Sequence, residues 1–332
     1  MPHVPIGRRS HIGLQAARVH HAARRSSGVA DSSARAANLS AWNFEWTQPQ
    51  GAEFVSLFDE LRQLGIIEGN HVTVDPRGFG SREERFPALA IELVASGVNA
   101  LLVAGDAAIN AAQASTRTIP VLGISDDMLG AGLVRSLARP SGNLTGVSIL
   151  ATELNGKRLE LLMDARNDAR HIAVLSDPRI TTAKHLKILR DAAQSRGVEL
   201  VVYEVATPEG ITPAIESASK AGAQAMNILA TPLFSFNSRR IIDQTASLRL
   251  PAIYQWPETA EDGGLLAYGP RITRMYRQMA RQLVKLMHGA KLADVPVEQP
   301  TVFELVANLK TAHAMGLQLP EPFLSRADEV IE

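Results

Sequence analysis

The fold of this chain is decided by two glycine-interrupted stretches, Arg139-Pro140-Ser141-Gly142-Asn143-Leu144-Thr145-Gly146-Val147 and Gly263-Gly264-Leu265-Leu266-Ala267-Tyr268-Gly269-Pro270. Each is a short apolar strand that lies between two blocks of alternating predicted strands and helices. Glycine adopts backbone angles that other residues avoid, so both stretches suit a chain that must turn and flex. Two flexible crossings between two α/β lobes predict a clamshell that closes on a ligand.

The pattern on either side of these stretches predicts alternating strands and helices. Before the first crossing we predict strands at His71–Val74, Val98–Ala104 and Ile119–Ile124, and helices from Phe54 to Leu64, from a capping box at Ser81–Glu84, at Ala107–Thr116 and at Leu129–Ala138. After it we predict strands at His171–Ser176, Val198–Glu204, Ala223–Ala230, Pro251–Tyr254 and Val302–Leu309, and helices at Thr152–Met163, Thr181–Arg196, Asn237–Leu248 and Ile272–His288. This order predicts an α/β protein with two doubly wound parallel-sheet lobes joined by a multi-strand hinge.

Length, charge and motif content narrow the class of protein. The chain has 332 residues, a formal net charge of zero and no cysteine. A single core rarely grows past about 250 residues, so two domains are expected. A neutral chain lacks the basic footprint of a nucleic-acid partner, and no apolar run approaches the roughly 20 residues that span a bilayer. Without a P-loop, G-x-S-x-G or H-E-x-x-H motif, we expect no catalytic residues, no cofactor, no metal site and no enzyme activity.

The first fifty residues differ from the rest. They contain six arginines against two acidic residues, a net charge of +4, and show no sustained apolar periodicity. A disordered tail, a targeting segment and a mis-translated replacement of another N-terminus all fit this composition, although no 7–15-residue apolar core follows Arg8-Arg9 as a secretory signal requires. We predict that residues 1–50 form an irregular segment that lacks a first strand, which would cost the first lobe stability.

Several separate signatures resemble one family. The resemblance is carried by Gly65-Ile66-Ile67-Glu68-Gly69-Asn70, Phe86-Pro87-Ala88-Leu89-Ala90, Gly130-Ala131-Gly132-Leu133-Val134, the first crossing, Lys157-Arg158-Leu159-Glu160-Leu161-Leu162, Asn237-Ser238-Arg239-Arg240, Pro251-Ala252-Ile253-Tyr254, Gly263-Gly264-Leu265 and the ending Arg326-Ala327-Asp328-Glu329-Val330-Ile331-Glu332. From about residue 52 onward the chain resembles the bacterial ABC-transporter substrate-binding proteins of the group that includes tryptophan/tyrosine-type binding proteins.

The resemblance implies a type I periplasmic-binding fold with three hinge crossings, the third near Val295–Thr301. It implies lobe 1 at residues 51–144 plus 270–298 and lobe 2 at 145–268 plus 299–332. It also implies a small-molecule ligand, ABC permease subunits as partners and a periplasmic location. We expect a monomer or weak dimer. The chain departs from the family where a Thr usually opens a helix and Asp106 stands instead, and where Asp127-Met128 replaces Asp-Pro.

Ligands of open α/β sheets bind beyond the carboxyl ends of the strands, often at helix N-termini. This rule selects Asp106, Ser125, Asp127, Ser176, Asp177, Thr231 and Tyr254. Asp106 and Asp177 could equally serve as helix caps. The aromatic residues after second-lobe strands are Phe234, Phe236, Tyr254, Trp256 and Tyr268, for which core packing is the alternative, and the better one for Phe236.

Tyr254 and Trp256 flank Gln255, so as parts of one strand end they are expected to point the same way and to stack on an aromatic or planar ligand. The leading hypothesis is a solute-binding protein of an ABC import system that binds a small molecule between its lobes, with an aromatic molecule as one candidate. The first alternative is a ligand-sensing or effector-binding module of the same fold. A nucleotide-sugar-using transferase would need a convergent acid/base pair in the cleft.

Overall fold

Two sheets organise the protein. A computed structural model describes residues 52–75 and 83–332, together with the backbone of 37–41. Within these residues the first sheet contains β1 (Ala37–Ala41), β2 (Val72–Val74), β3 (Ala100–Ala104), β4 (Val121–Ser125) and β5 (Leu144–Ser148). The second sheet contains β6 (His171–Ser176), β7 (Glu199–Glu204), β8 (Ala225–Ile228), β9 (Ala252–Tyr254), β10 (Leu266–Gly269), β11 (Glu304–Asn308) and β12 (Glu329–Ile331).

The helices connect the strands and cover the sheets. They are α1 (Ala52–Gln63), α2 (Phe86–Ala95), α3 (Asp106–Ser115), α4 (Ala151–Ala165), α5 (Ala183–Gln194), α6 (Ile211–Lys220), α7 (Pro232–Phe236), α8 (Ser238–Ser247), α9 (Pro257–Glu261), α10 (Ile272–Met287), α11 (Leu309–Met315) and α12 (Glu321–Leu324). None of the helices in the described part of the chain is both long enough and apolar enough to cross a membrane.

The strand order confirms the predicted fold class. The first sheet runs β2-β1-β3-β4-β5 and the second β12-β11-β10-β9-β8-β6-β7. All neighbouring strands pair in parallel except β10 and β11, which are antiparallel. The second sheet is therefore mixed rather than wholly parallel, because β11 enters it from the opposite direction after the chain has visited the first lobe.

The residues of β3 explain why helices lie on both faces of the first sheet. Ala100 and Leu102 join the buried cluster that contains α1 and α10 side chains, whereas Leu101 and Val103 join the cluster of α2 and α3. Successive side chains of a strand point to opposite faces, so a continuous apolar run is what a doubly covered strand requires. Helix α10 returns to the first lobe as predicted, and its Tyr276 packs edge-on against Phe54 of α1.

The first strand, which we predicted to be missing, is present. Residues Ala37–Ala41 form β1 and pair in parallel with both β2 and β3, as an inner strand of the first sheet. The prediction that residues 1–50 are wholly irregular is therefore wrong for this stretch, and the predicted stability loss no longer has its premise. Leu39 is the only large apolar residue of this Ala-, Asn- and Ser-containing stretch, so no strand pattern is visible, and pairing on both sides overrides its weak propensity. The rest of that segment, 1–36 and 42–50, lies outside the described residues.

The helix predicted at Leu129–Ala138 is also wrong, because this stretch consists of turns. Asp127 Oδ1 accepts a hydrogen bond from Gly130 N at 2.8 Å, and Gly132 adopts a φ of 71° that a helix does not allow. Leu133 is buried, and its amide bonds back to the carbonyl of Met128. The apolar spacing that suggested a helix therefore reflects side chains that a folded loop inserts into the core.

Three crossings join the lobes. The first follows Ser148, since β5 pairs with β4, so the predicted lobe boundary at residue 144 cuts a strand of the first sheet. The second leads from β10 into α10. In the third, Glu298 hydrogen-bonds β5 through Gly146 O and Ser148 N, both at 2.9 Å, before the chain enters β11. The other predicted boundaries remain predictions.

The first crossing contains a close backbone contact. Gly146 has a φ of 135° and faces Gly123 in the parallel register of β4 and β5. A Cβ atom at Gly146 would lie 1.9 Å from the carbonyl oxygen of Gly123, which is far inside van der Waals contact. Only glycine fits at this position, and this explains why Gly146, one of the two glycines of the first crossing, is a glycine.

Candidate ligand-binding site

The first lobe presents a carboxylate and a hydroxyl at adjacent strand ends. Asp106 begins α3 directly after β3, and Ser125 is the last residue of the neighbouring strand β4. Ser125 Oγ donates a hydrogen bond of 2.5 Å to Asp106 Oδ1. Partial burial raises the pKa of Asp106, and the nearby charge of Asp127 raises it further, whereas the bond from Ser125 opposes both. The expectation that ligands bind beyond the carboxyl ends of strands therefore selected two residues that are in contact.

The two aspartates that follow β4, Asp126 and Asp127, accept hydrogen bonds from different parts of the chain. Asp127, which we predicted as a site residue, turns back to cap its own loop at Gly130. Its neighbour Asp126 instead accepts from Thr152 N at 2.8 Å, in the first turn of α4. Asp126 thus fastens the end of β4 to the beginning of the second lobe. Sequence reasoning missed it, although it stands equally close to the strand end.

The second lobe contributes a buried hydroxyl and a buried carboxylate at the end of β6. Ser176 and Asp177 are both fully buried. Asp177 accepts from Arg179 through Nε at 3.0 Å, Nη2 at 2.7 Å and the backbone amide at 3.0 Å. Ser176 Oγ has no hydrogen-bond partner in the described residues. Asp177 is thus more than a turn cap, because it fixes the direction of an arginine.

That arginine reaches across to the other lobe. Arg179 Nη1 lies 3.2 Å from Glu83 Oε2, in the helical turn that precedes α2 of the first lobe. The two side chains are 41% and 47% exposed, so water screens the pair. A second contact joins Gly105 of the first lobe to α7 of the second, since a Cβ at Gly105 would be 3.3 Å from Pro232. The lobes therefore touch at both places, which is the geometry of a closed clamshell.

The loop after β8 is organised by Thr231, which caps α7 by accepting from Phe234 N at 3.3 Å. Phe234 is buried in the second-lobe core together with Tyr254. The hydroxyl of Tyr254 hydrogen-bonds Thr245 Oγ1 at 2.9 Å, and burial raises its pKa. These two aromatic side chains pack in the core, as the alternative interpretation held.

Trp256 lies elsewhere, so the expectation that it points the same way as Tyr254 is wrong. Strand β9 ends at Tyr254, and Trp256 stands at the start of α9, where the alternation of a strand no longer applies. Its ring belongs to the buried cluster of the first lobe, which also contains Phe54 and Tyr276, while its Nε1 donates to Ser235 Oγ of α7 at 3.0 Å. Trp256 therefore bridges both lobes.

Tyr268, the last predicted aromatic site residue, packs on the second-lobe core beside Phe303, with ring centroids 6.4 Å apart. Its backbone carbonyl has a separate role, because it accepts from Arg158 Nε at 2.7 Å. Phe236 is partly buried. Among the aromatic candidates, Trp256 is the one that the structure places at the junction of the lobes.

The fully buried Arg158 stabilises the junction of the lobes. Arg158 of α4 donates to the carbonyl of Tyr268 and, through Nη1, to Asn155 Oδ1 at 2.7 Å. Asn155 Oδ1 also accepts from Ala230 N at 3.3 Å. Burial lowers the pKa of Arg158, and the charge of Asp126 raises it. This network ties α4 to the second crossing and to the loop after β8. Its members were missed because an arginine on a helix carries no visible signal of burial.

Acidic side chains of α9 and of the residue after it influence Glu53 at the N-terminus of α1. Burial raises the pKa of Glu53, and the charges of Glu258 and Asp262 in the second lobe raise it further. Glu258 Oε1 accepts from Thr273 at 3.0 Å, and its buried Oε2 has no hydrogen-bond partner in the described residues. The negative charges of these residues oppose the ionisation of Glu53, so this contact region of the two lobes favours a cation.

This charge arrangement predicts a pH-dependent effect of Glu53→Gln. The folded protein holds the pKa of Glu53 above its unfolded value of 4.5, so the ionised carboxylate destabilises the fold above that folded pKa. The variant should therefore melt higher than the parent at pH 7.5, and the difference should shrink as the pH falls toward 4. Exposed Glu84→Gln is the control and should show no such trend. Thermal melts at several pH values check this, and an advantage that persists at pH 4 would contradict it.

Comparisons with known proteins agree with this geometry. The profile of the family described as ABC transporter substrate binding protein matches residues 53–331. A tyrosine-binding protein of Clostridioides difficile is 23% identical over 262 residues, which cover 78% of this chain and 74% of that protein.

Two solved structures have a similar fold. A conserved domain protein from Vibrio cholerae has a TM-score of 0.77 at 20% identity, covering 89% of this chain and 100% of that one. A Streptococcus pneumoniae domain in complex with L-Trp has a TM-score of 0.76 at 21% identity, covering 89% of this chain and 99% of that one. At these identities the structures support the fold.

Proposed function

The chain belongs to the family of ABC transporter substrate-binding proteins, and from that premise we propose that its solute is a small aromatic molecule with a neutral or cationic group near Asp106. The observation that carries the proposal is the junction itself, where Trp256 of the second lobe packs with side chains of the first lobe. A flat aromatic ring beside a closing cleft suits a planar ligand. The tyrosine-binding relative and the L-Trp complex point to the same ligand class.

The charges of the cleft favour a cation over a bare carboxylate. Asp106 stands at the N-terminus of α3, where the helix dipole would otherwise attract an anion. A ligand carboxylate within about 4 Å of the ionised Asp106 would cost roughly 4 kcal/mol at an effective dielectric near 20, which is about a thousandfold in affinity. Glu53 and Glu258 add negative charge at neighbouring helix ends. An amine or an amino acid that turns its ammonium toward these groups fits the site.

We expect the protein to deliver this solute to ABC permease subunits, to act outside the cytoplasmic membrane as a monomer or weak dimer, and to catalyse no reaction. A sensor of the same fold is the less favoured alternative. Genes for a permease and an ATPase beside the gene of this protein would support transport, and a neighbouring signalling or regulatory gene in their place would support the sensor.

The proposal predicts how ligand classes respond to Asp106→Thr. Aromatic amines and aromatic amino acids should raise the melting temperature of the parent protein, whereas aromatic acids without an amine should stabilise the Thr variant more than the parent. The cause is the repulsion by the Asp106 carboxylate, which the substitution removes. A thermal-shift panel with these compounds and nucleosides measures the effect, with exposed Asp294→Thr as the matched control. If simple aromatic acids stabilise the parent as strongly as the Thr variant, Asp106 does not select the ligand.

The contact between Arg179 and Glu83 predicts a closure effect. Glu83→Gln removes the ion pair and leaves the buried Asp177–Arg179 pair in place. Exposed ion pairs contribute about 0.2–1 kcal/mol, so the dissociation constant of the cleft ligand should rise up to fivefold. Its neighbour Glu84, which is exposed and forms no ion pair with the described residues, supplies the control Glu84→Gln. Equal affinities of the two variants in calorimetric titrations would rule out the closing role.

A further inference from the structure

A cavity lies beside α10 at the hinge. It has a volume of about 380 Å³ and is bounded by α10 and by the third crossing at residues 299–302. Arg271, Arg274, Arg277 and Arg281 line it, together with polar side chains that include Gln278, and no acidic residue belongs to the lining. Small-molecule sites occupy roughly 300–1,000 Å³, so the cavity is large enough for a small ligand.

The outer arginines are fixed by acids that lie behind the lining. Arg271 pairs with Glu304 at 2.5 Å and Glu329 at 2.6 Å, both on second-lobe strands, and also with Glu261. Arg281 pairs with Glu60 of α1 in the first lobe at 2.8 Å. These ion pairs hold both ends of the cavity and link it to both lobes.

The middle arginines leave positive charge in the cavity. Arg274 shares Glu304 with Arg271, since its Nη1 lies 2.6 Å from Glu304 Oε1. Arg277 is exposed and has no ion-pair partner within the described residues. The carboxylate of Glu298 accepts a hydrogen bond from the side-chain amide of Gln278. One guanidinium is therefore unneutralised, and a second is only partly neutralised, on the same side of α10.

The spacing of these arginines indicates the kind of ligand. Arg274 and Arg281 are seven residues apart, which is about 10 Å along a helix, and Arg277 lies between them on the same side. Guanidinium groups bind carboxylates and phosphates through paired N–H donors. We infer that the hinge cavity binds a small polyanion, a molecule with two or more carboxylate or phosphate groups, through Arg274, Arg277 and Arg281.

The test is calorimetric titration of the full chain with inorganic pyrophosphate and, separately, with citrate, at an ionic strength held constant with NaCl. We expect saturable binding of one molecule per chain for at least one of the two anions, and binding to pyrophosphate alone or to citrate alone would assign the site to phosphates or to carboxylates. Arg277→Gln should weaken it at least tenfold. Arg190→Gln, an exposed arginine of α5 that forms no ion pair with the described residues, should leave it unchanged.

Two results would overturn the inference. One is the absence of saturable binding for both anions at millimolar concentration. The other is an equal loss of binding in Arg277→Gln and Arg190→Gln, which would mean that the anions respond to overall charge. Because Arg277 is exposed and lies outside the cleft, its substitution should not affect folding or binding of the cleft ligand, and a circular-dichroism melt checks the fold.

Discussion

Replacing Arg158 with Met is expected to lower the free energy of unfolding by about 3 kcal/mol or more, because removing one partner of a buried charged network typically costs about 3–5 kcal/mol. Methionine fills much of the volume but donates no hydrogen bond. The carbonyl of Tyr268 loses its charged donor, and Asn155 Oδ1 keeps only the long bond from Ala230. Asn155 is buried and the Arg158–Tyr268 bond is partly buried, so an unsatisfied acceptor is costly at either place.

Urea denaturation measures this effect. The adjacent residue supplies a matched control, since Lys157 of the same helix has an exposed side chain and pairs only with Glu160 among the described residues. Lys157→Met should change the free energy of unfolding by less than about 0.5 kcal/mol. Similar values for the two variants would show that the Arg158 network does not stabilise the junction of the lobes.

Gly146→Ala is expected to destabilise the protein by about 2–6 kcal/mol, because a strained backbone and an overpacked contact each cost about 1–3 kcal/mol. The new methyl group would lie 1.9 Å from the carbonyl oxygen of Gly123, so the pairing of β4 and β5 must shift. That shift also moves Ser148 and the hydrogen bonds to Glu298, which belong to the first and third crossings. Ligand affinity should therefore fall together with stability.

Gly142→Ala separates the steric effect from backbone strain. Gly142 lies in the same crossing with a φ of 85°, and nothing lies within 4 Å of a Cβ built on it. Its substitution should cost only about 1 kcal/mol, the strain of a left-handed alanine. Chemical denaturation of both variants provides the comparison. If Gly142→Ala is as harmful as Gly146→Ala, the close contact with Gly123 does not explain the glycine.

Sequence patterns predict the parts of this fold that depend on local composition. The run His171–Ser176 forms β6 with those same ends, since the four residues between them are apolar, as a buried parallel strand requires. Strand β1 escapes prediction because its Ala- and Ser-rich sequence becomes a strand only through its two neighbours. The turns at residues 129–138 were wrongly predicted as a helix, because their buried apolar residues are spaced as they would be on one face of a helix.

The candidate site is predictable to a similar extent. The contact between Asp106 and Ser125 follows from topology alone, because adjacent parallel strands end at the same edge. The direction of Tyr254 and Trp256 depends on where β9 ends, within one or two residues, and patterns do not fix strand ends that closely. The burial of Arg158 depends on three elements that are far apart in sequence, α4, β10 and the loop after β8.

We expect the cleft between the two sheets to bind one small aromatic solute per chain. Calorimetric titration measures this binding, with protein that has been unfolded, dialysed and refolded to remove any bound ligand. An aromatic amine or an aromatic amino acid should bind saturably and one-to-one. Trp256→Ala should weaken this binding at least tenfold, as expected for a buried aromatic contact worth about 1.4 kcal/mol or more. Saturable binding of a non-aromatic solute, with no aromatic compound binding and no effect of Trp256→Ala, would contradict it.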